Sequence, residues 1–340
     1  MRRDIVFAAF FVCLMLTNLT LNISYASVLE IPITTSSDTY DLGEEIVVIG
    51  NLTLDGEPVS DGLVTVQVND PTNQTILIRT LSTGTDPPKP WIIEILDFFA
   101  CDQLGNPKYS FKRGGNAGFK VTVRNNALST YSVKITIYVQ YSNSIPFTFF
   151  VIFEGTIDAQ QTISIVTWPV SIPSDAPLGE TSAYANALTD YPISNGYAYS
   201  PEKKANFQIT ATSSTTNSTF YKNSETYTTS TGVFNVTFGT SPHGGVLGNY
   251  TAYASSKYSY WLIKNETTFK TILIGDITGS YEIPDGKVDI KDLSTVSKAF
   301  GSYPGHPKWD PRCDLNGDNI VDIKDLSLVS RNFGKYGTLP

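Results

Sequence analysis

Between residues 27 and 274 apolar side chains recur at every second position. Glu45-Ile-Val-Val-Ile-Gly-Asn-Leu, Leu63-Val-Thr-Val-Gln-Val, Phe119-Lys-Val-Thr-Val-Arg-Asn, Val133-Lys-Ile-Thr-Ile-Tyr-Val and Thr162-Ile-Ser-Ile-Val-Thr-Trp all alternate in this way. A period of two gathers β-branched and aromatic groups on one face of an extended chain, so these runs predict strands. Gly, Pro, Asn and Asp interrupt them at intervals of roughly 8–12 residues, the rhythm of antiparallel β-sandwiches. Near the C-terminus the rhythm changes. Val288 to Gly301 recurs as Val321 to Gly334, with 11 identities in 14 at a period of 33. Within each copy Ile, Leu, Val and Phe are spaced three, three and four apart (Ile290, Leu293, Val296, Phe300; Ile323, Leu326, Val329, Phe333). That spacing predicts one face of a helix of about three turns, stopped by Gly301 or Gly334.

The chemistry-bearing pattern lies just ahead of each helix. Asp314, Asn316, Asp318, Asp322 and Asp325 occupy places one, three, five, nine and twelve of a twelve-residue loop, with the Ile320 carbonyl at place seven. Oxygen donors at those places surround one hard cation, and calcium takes 6 to 8 of them in a flexible shell. Asn319 stands at the sixth place, where such loops need a left-handed backbone. Counting back from Asp292 gives the first copy its Asp289, Lys287 carbonyl, Gly286 and Asp285 in register. Its first carboxylate, Asp276, lies five residues too far upstream. An insertion within 279–284 would leave Asp276 and Thr278 as the first and third ligands. Two readings stand for this copy: a second calcium site, or a loop retained only because Asp289 and Asp292 cap the helix.

Residues 275–334 resemble a dockerin module, in which two calcium loops, each followed by a helix, are joined by a linker. Here the linker is Gly301 to Asp310, and the resemblance covers about a fifth of the chain. It implies two bound Ca2+ ions and docking to a cohesin-like or other surface or scaffold protein. The chain departs from the pattern in its stretched first loop and in Asn319. It also departs at Ile290-Lys291 and Ile323-Lys324, where bacterial dockerins commonly carry small hydroxyl contacts. Packing of the module on the neighbouring sandwich is the open alternative.

The remainder divides by composition. Tyr40-Asp-Leu-Gly-Glu-Glu and Asp55-Gly-Glu-Pro-Val-Ser-Asp-Gly resemble the opening half of bacterial Ig-like or macroglobulin-type modules. Thr231 to Phe238, Gly248 to Tyr258 and Thr267-Thr-Phe resemble the closing half. Each half is too short for a seven-stranded sandwich of roughly 100 residues. The expected organisation is therefore mainly β: a discontinuous sandwich of 27–86 plus 211–273, and a second Ig-like sandwich, 91–210, inserted behind the hinge Asp86-Pro-Pro-Lys-Pro. Phe111-Lys-Arg-Gly-Gly-Asn-Ala-Gly-Phe and Ile172-Pro-Ser-Asp-Ala-Pro-Leu-Gly resemble adhesion-type Ig-like modules of archaeal and bacterial surface proteins. The helical calcium module follows at 275–334, and 335–340 reads as a polar tail.

Arg2 and Arg3, the twelve apolar residues Ile5 to Leu16, and the small residues of Ser24-Tyr25-Ala26 compose a secretory signal peptide over 1–26. The alternative, an uncleaved anchor, asks for roughly 20 apolar residues. Secretion or surface display is thus expected, with no membrane span in the mature chain. Export permits glycosylation of the sequons at Asn51, Asn73, Asn217, Asn235, Asn249 and Asn265. Cys101 and Cys313 fall in different expected domains and predict free thiols.

The net charge is −8, from 24 Lys and Arg against 32 Asp and Glu. It excludes a phosphate-driven nucleic-acid binder, and 19 Tyr with 18 Phe exclude a disordered chain. The imbalance is local: residues 27–84 carry nine acids and one base, while 275–340 carries ten acids and eight bases. His243 and His306 fall in turns, and no nucleophile elbow, zinc helix or phosphate loop is present. No enzyme is expected. The expected function is docking by a secreted surface protein with spacer or adhesive β domains. The alternative is a carbohydrate-binding subunit of a polysaccharide-degrading assembly, using Tyr184 to Tyr191, Tyr197, Tyr199, Trp91, Trp168 or Trp261 as stacking surfaces.

Overall fold

The computed structural model describes residues 27–211, 232–279 and 283–340. The expected signal peptide and the Asn217 sequon lie outside the described residues. The described residues are mainly β, with two α-helices near the C-terminus.

The first β body is built from both sides of an interruption. Glu45–Asn51 lies between Val233–Gly239 and Ile33–Thr35 in one sheet. A five-stranded sheet runs Thr39–Asp41, Trp261–Ile272, Gly248–Tyr258, Leu63–Asn69, Thr75–Ser82. Strands that precede residue 93 therefore pair with strands that follow residue 210, through Val48 opposite Val236 and Val66 opposite Ala254. The inward positions of both sheets, among them Ile46, Val48, Val64, Val66, Phe234, Phe238, Ala252 and Phe269, form one buried cluster. Alternation is the cause: in Glu45–Asn51 the even-numbered residues are buried.

Between those strands the chain builds a second body. Its five-stranded sheet runs Ser110–Lys112, Lys203–Thr210, Gly179–Leu188, Tyr131–Tyr141, Pro146–Ile157, and a three-stranded sheet runs Thr162–Ser171, Asn116–Asn125, Ile93–Cys101. Phe98, Phe119, Ile135, Ile137 and Phe207 from the two sheets share one core. The bodies meet over a broad contact. Leu63–Asn69 and Thr75–Ser82 are buried on both faces because the second body covers their outer side. Asn186 donates to the Ile78 carbonyl at 3.1 Å, and the Ile193 N–H donates to Gln67 Oε1 at 3.1 Å.

Helices α1 (Ile290–Ala299) and α2 (Ile323–Asn332) pack around Val288, Val296, Cys313, Val321 and Val329. Leu42, Leu247 and Leu273 of the first body complete that cluster, so the helical module is seated on the body's end. The last residues are not a tail. Tyr336–Thr338 forms a parallel strand with His243–Val246, and polarity alone did not reveal it because the pairing runs through backbone groups.

Candidate metal centre

Each helix begins with the same device. Asp289 and Asp322 are N-caps that accept from the Lys291 and Lys324 N–H groups at 2.7 Å. Asp292 and Asp325 answer by accepting from the backbone N–H groups of Asp289 and Asp322 at 2.8 Å, closing a capping box on each helix.

The second oxygen of each of these carboxylates reaches into its loop. Asp292 Oδ1 accepts from the Ile277 and Thr278 N–H groups at 2.9 Å and from the Thr278 hydroxyl at 2.8 Å. Asp325 Oδ1 accepts from the Leu315 and Asn316 N–H groups at 2.8 and 3.2 Å. At the far end of the loops, Asp276 accepts from Asp285 and Gly286 at 3.1 and 2.8 Å. Asp314 accepts from Asp318 and Asn319 at 3.1 and 2.8 Å. The two loops are wired alike. Asp276 and Thr278 stand to Asp285, Asp289 and Asp292 as Asp314 and Asn316 stand to Asp318, Asp322 and Asp325. The extra residues of the first loop leave between Thr278 and Asp285, whose carbonyl and N–H meet at 3.1 Å; residues 280–282 lie outside the described residues. The sixth places, Gly286 and Asn319, take φ values of +81° and +67°. Lys287 and Ile320 follow at the seventh, donating N–H to Asp285 and Asp318 at 3.2 and 3.1 Å.

The electrostatics of the loops differ. Burial pushes the Asp276 carboxyl up to about 6 against its two N–H bonds, and the negative charges of Asp292 and Asp285 add to the shift. In the second loop Lys324 Nζ bonds Asp318 Oδ2 at 2.8 Å and holds that exposed carboxyl below its ordinary range. Asp292 and Asp325 are fully buried.

The donor chemistry suits a hard cation: every candidate ligand atom is oxygen, and both sixth-place residues already hold the left-handed turn. The carboxylates are turned to backbone N–H groups, however. Among the described residues, no group of three or more His, Cys, Asp or Glu side chains converges as a metal cage.

Other candidates are dispersed. Tyr184 is buried against Tyr138, with the Arg79 guanidinium 3.6 Å from its ring centre. Trp91 is buried, Trp168 half-buried, and Tyr191 packs against Phe149. Tyr197 and Tyr199 contact each other edge to face. Trp261 is exposed beside Tyr260 at a hairpin tip. Of the described sequons, Asn73, Asn235, Asn249 and Asn265 are exposed and Asn51 is half-buried. Cys101 and Cys313 are free and buried, and burial pushes both thiols up to about 11. His243 opens the strand His243–Val246, and His306 lies in a turn. No helix among the described residues is long and apolar enough to cross a membrane.

No family model and no curated protein matches the chain. Among solved structures, the Pseudomonas fluorescens alkylpurine DNA glycosylase AlkC bound to DNA is similar at 11% identity and a TM-score of 0.28, over 36% of this chain and 32% of that one. The C-terminal domain of wzt is similar at 10% identity and a TM-score of 0.31, over 39% of this chain and 85% of that one. A type II cohesin-X-dockerin complex from Acetivibrio cellulolyticus is similar at 20% identity and a TM-score of 0.18, over 31% of this chain and 70% of that one. Scores this low establish no common fold, and the chain spans about a third of the glycosylase's length.

Proposed function

We propose that this chain is a secreted, non-catalytic surface protein whose two Ig-like β-sandwich units serve as a spacer and whose dockerin-like C-terminal module, folded around two calcium ions, mediates docking to a cohesin-like or other scaffold protein. The observation that carries the reading is the shared wiring of the two loops. In both loops the first-place Asp accepts from the fifth- and sixth-place N–H groups, the ninth-place Asp caps the helix and the twelfth-place Asp ties the loop's start to it, despite the insertion in the first. Nothing in helix capping alone demands Asp314, Asn316 and Asp318, which lie upstream of the caps.

When bound, calcium supplies the positive charge that the loops lack. The chain's own residues do the rest. Asp276 and Asp314 bend each loop back on itself by accepting two successive N–H bonds. Asp292 and Asp325 tie the loop's start to its helix. In the second loop Lys324 holds Asp318 Oδ2, so an ammonium group would share that carboxylate with any bound cation. Metal binding in so small a module supplies folding free energy. A chelator should therefore remove the helical component of the far-ultraviolet circular dichroism and leave the β component. A spectrum unchanged by chelator would overturn the proposal.

A further inference from the structure

The two halves of the C-terminal module clasp one another reciprocally, and then their symmetry breaks. After α1, the Gly301 N–H donates to the Val321 carbonyl at 2.8 Å and the Val321 N–H donates to the Ser302 carbonyl at 3.0 Å. After α2, the Gly334 N–H donates to the Val288 carbonyl at 2.9 Å and the Val288 N–H donates to the Lys335 carbonyl at 3.1 Å. Each helix exit thus holds the other copy's loop. Beyond Ser302 the chain turns away, with the His306 N–H bonded to the Tyr303 carbonyl.

Beyond Lys335 it continues straight. The Gly337 N–H donates to the Gly286 carbonyl at 2.8 Å, and the Leu247 N–H donates to the Thr338 carbonyl at 2.8 Å. Lys335 Nζ donates to the Leu42 carbonyl at 2.7 Å and lies 3.5 Å from Asp41. The final residues therefore run between the first loop and the first β body, bonded to both.

This passage explains a difference between the copies that loop chemistry alone does not. A Cβ on Gly286 would lie 2.8 Å from the Gly337 carbonyl oxygen, and one on Gly337 would lie 2.7 Å from Leu247 Cγ and 3.0 Å from the Gly245 carbonyl. Three backbones cross where no side chain fits. At the equivalent place in the second loop Asn319 stands exposed at φ +67°.

We propose that Lys335–Pro340 is a strap that couples the metal state of the first loop directly to the first β body, and that reaches the second loop only through α2 and the clasp. The inference rests on the calcium reading of the loops. Calcium in the first loop would draw on Asp285 and the Lys287 carbonyl, which flank Gly286. Ordering them orders the carbonyl that holds Gly337, and hence the strand that pairs with His243–Val246. Linkage makes the coupling reciprocal: if calcium strengthens the strap's seating, the seated strap strengthens calcium binding by the same factor.

Hydrogen exchange on the full chain, with and without calcium, tests this. Wild type is compared with Gly337→Val and with a chain ended after Lys335, which keeps the clasp to Val288 and adds no bulk. In wild type calcium should slow exchange in both loops and in 243–247. Both variants should lose the response in 243–247 and bind calcium at the first loop about tenfold more weakly, an ordinary scale for coupled sites. The second loop should respond as in wild type. Protection of both loops without any response in 243–247 of wild type overturns the strap and leaves the calcium reading standing. Persistence of that response in both variants overturns the strap equally, and no protection at either loop overturns both.

Discussion

Arg79 and Glu202 are 123 residues apart and meet in the contact between the two β bodies. The guanidinium bonds the carboxylate through Nε at 3.0 Å and through Nη2 at 2.6 Å, and the Thr80 N–H adds a third donor at 2.9 Å. Burial alone would lower the guanidinium's pKa. The adjacent Glu202 carboxylate outweighs it and raises the pKa, so the guanidinium stays charged. Removing one partner of a buried pair strands the other's charge, at a cost of about 3–5 kcal/mol. Glu202→Ala should therefore lower the urea-unfolding free energy by that amount, and the double change Arg79→Met with Glu202→Leu should recover much of it. Equal midpoints for Glu202→Ala and wild type would mean the pair stabilises nothing. No local pattern in the sequence announces such a pair, because Arg79 on Thr75–Ser82 and Glu202 just ahead of Lys203–Thr210 stand far apart in the chain. Asp276 and Thr278 were legible by contrast: the duplicated segment supplied a register, and counting from Asp292 exposed the gap.

Among the elements, the helices follow the repeat closely in extent but not in burial. The spacing assigned Ile290, Leu293, Val296 and Phe300 to one face of a helix, and along that face Val296 is fully buried while Ile290 and Phe300 are 64% and 48% exposed. Their copies Ile323 and Phe333 are 67% and 51% exposed. The ends explain this. Ile290 is the first helical residue after the N-cap and stands at the end of the face, whereas Phe300 is the C-cap with ψ at 135° and leaves the helical face that the middle residues share. Cys313 lies in the core between the helices, whereas Cys101 belongs to the second body. If calcium holds the helices together, neither thiol should react with a disulfide reagent at mildly alkaline pH in calcium, since burial disfavours both thiolates. In chelator one thiol per chain should react, and peptide mapping should identify it as Cys313. Reaction of neither thiol, or of both, would contradict a metal-dependent module on a metal-independent β frame.

For the whole molecule, the sequence carried the β character, the repeat and the change of rhythm between them. The pairing of Glu45–Asn51 with Val233–Gly239 has a sequence signal only in length, as two stretches each too short to close a sandwich. The seating of the module on the first body was an open alternative that no residue pattern decided. It depends on Leu42, Leu247 and Leu273, each one residue past the end of a strand, and on backbone bonds from a polar terminus. Net charge is also a poor guide here, because 275–340 sets ten acids against eight bases and is nearly balanced. What distinguishes the module is where its carboxylates stand. Calorimetric titration of the full chain with calcium tests that most directly. Two ions per chain should bind, with Asp314→Ala losing the second-loop ion and Asp276→Ala losing the first. A chain that binds no calcium at millimolar concentration, the range of weak extracellular modules, would contradict the account.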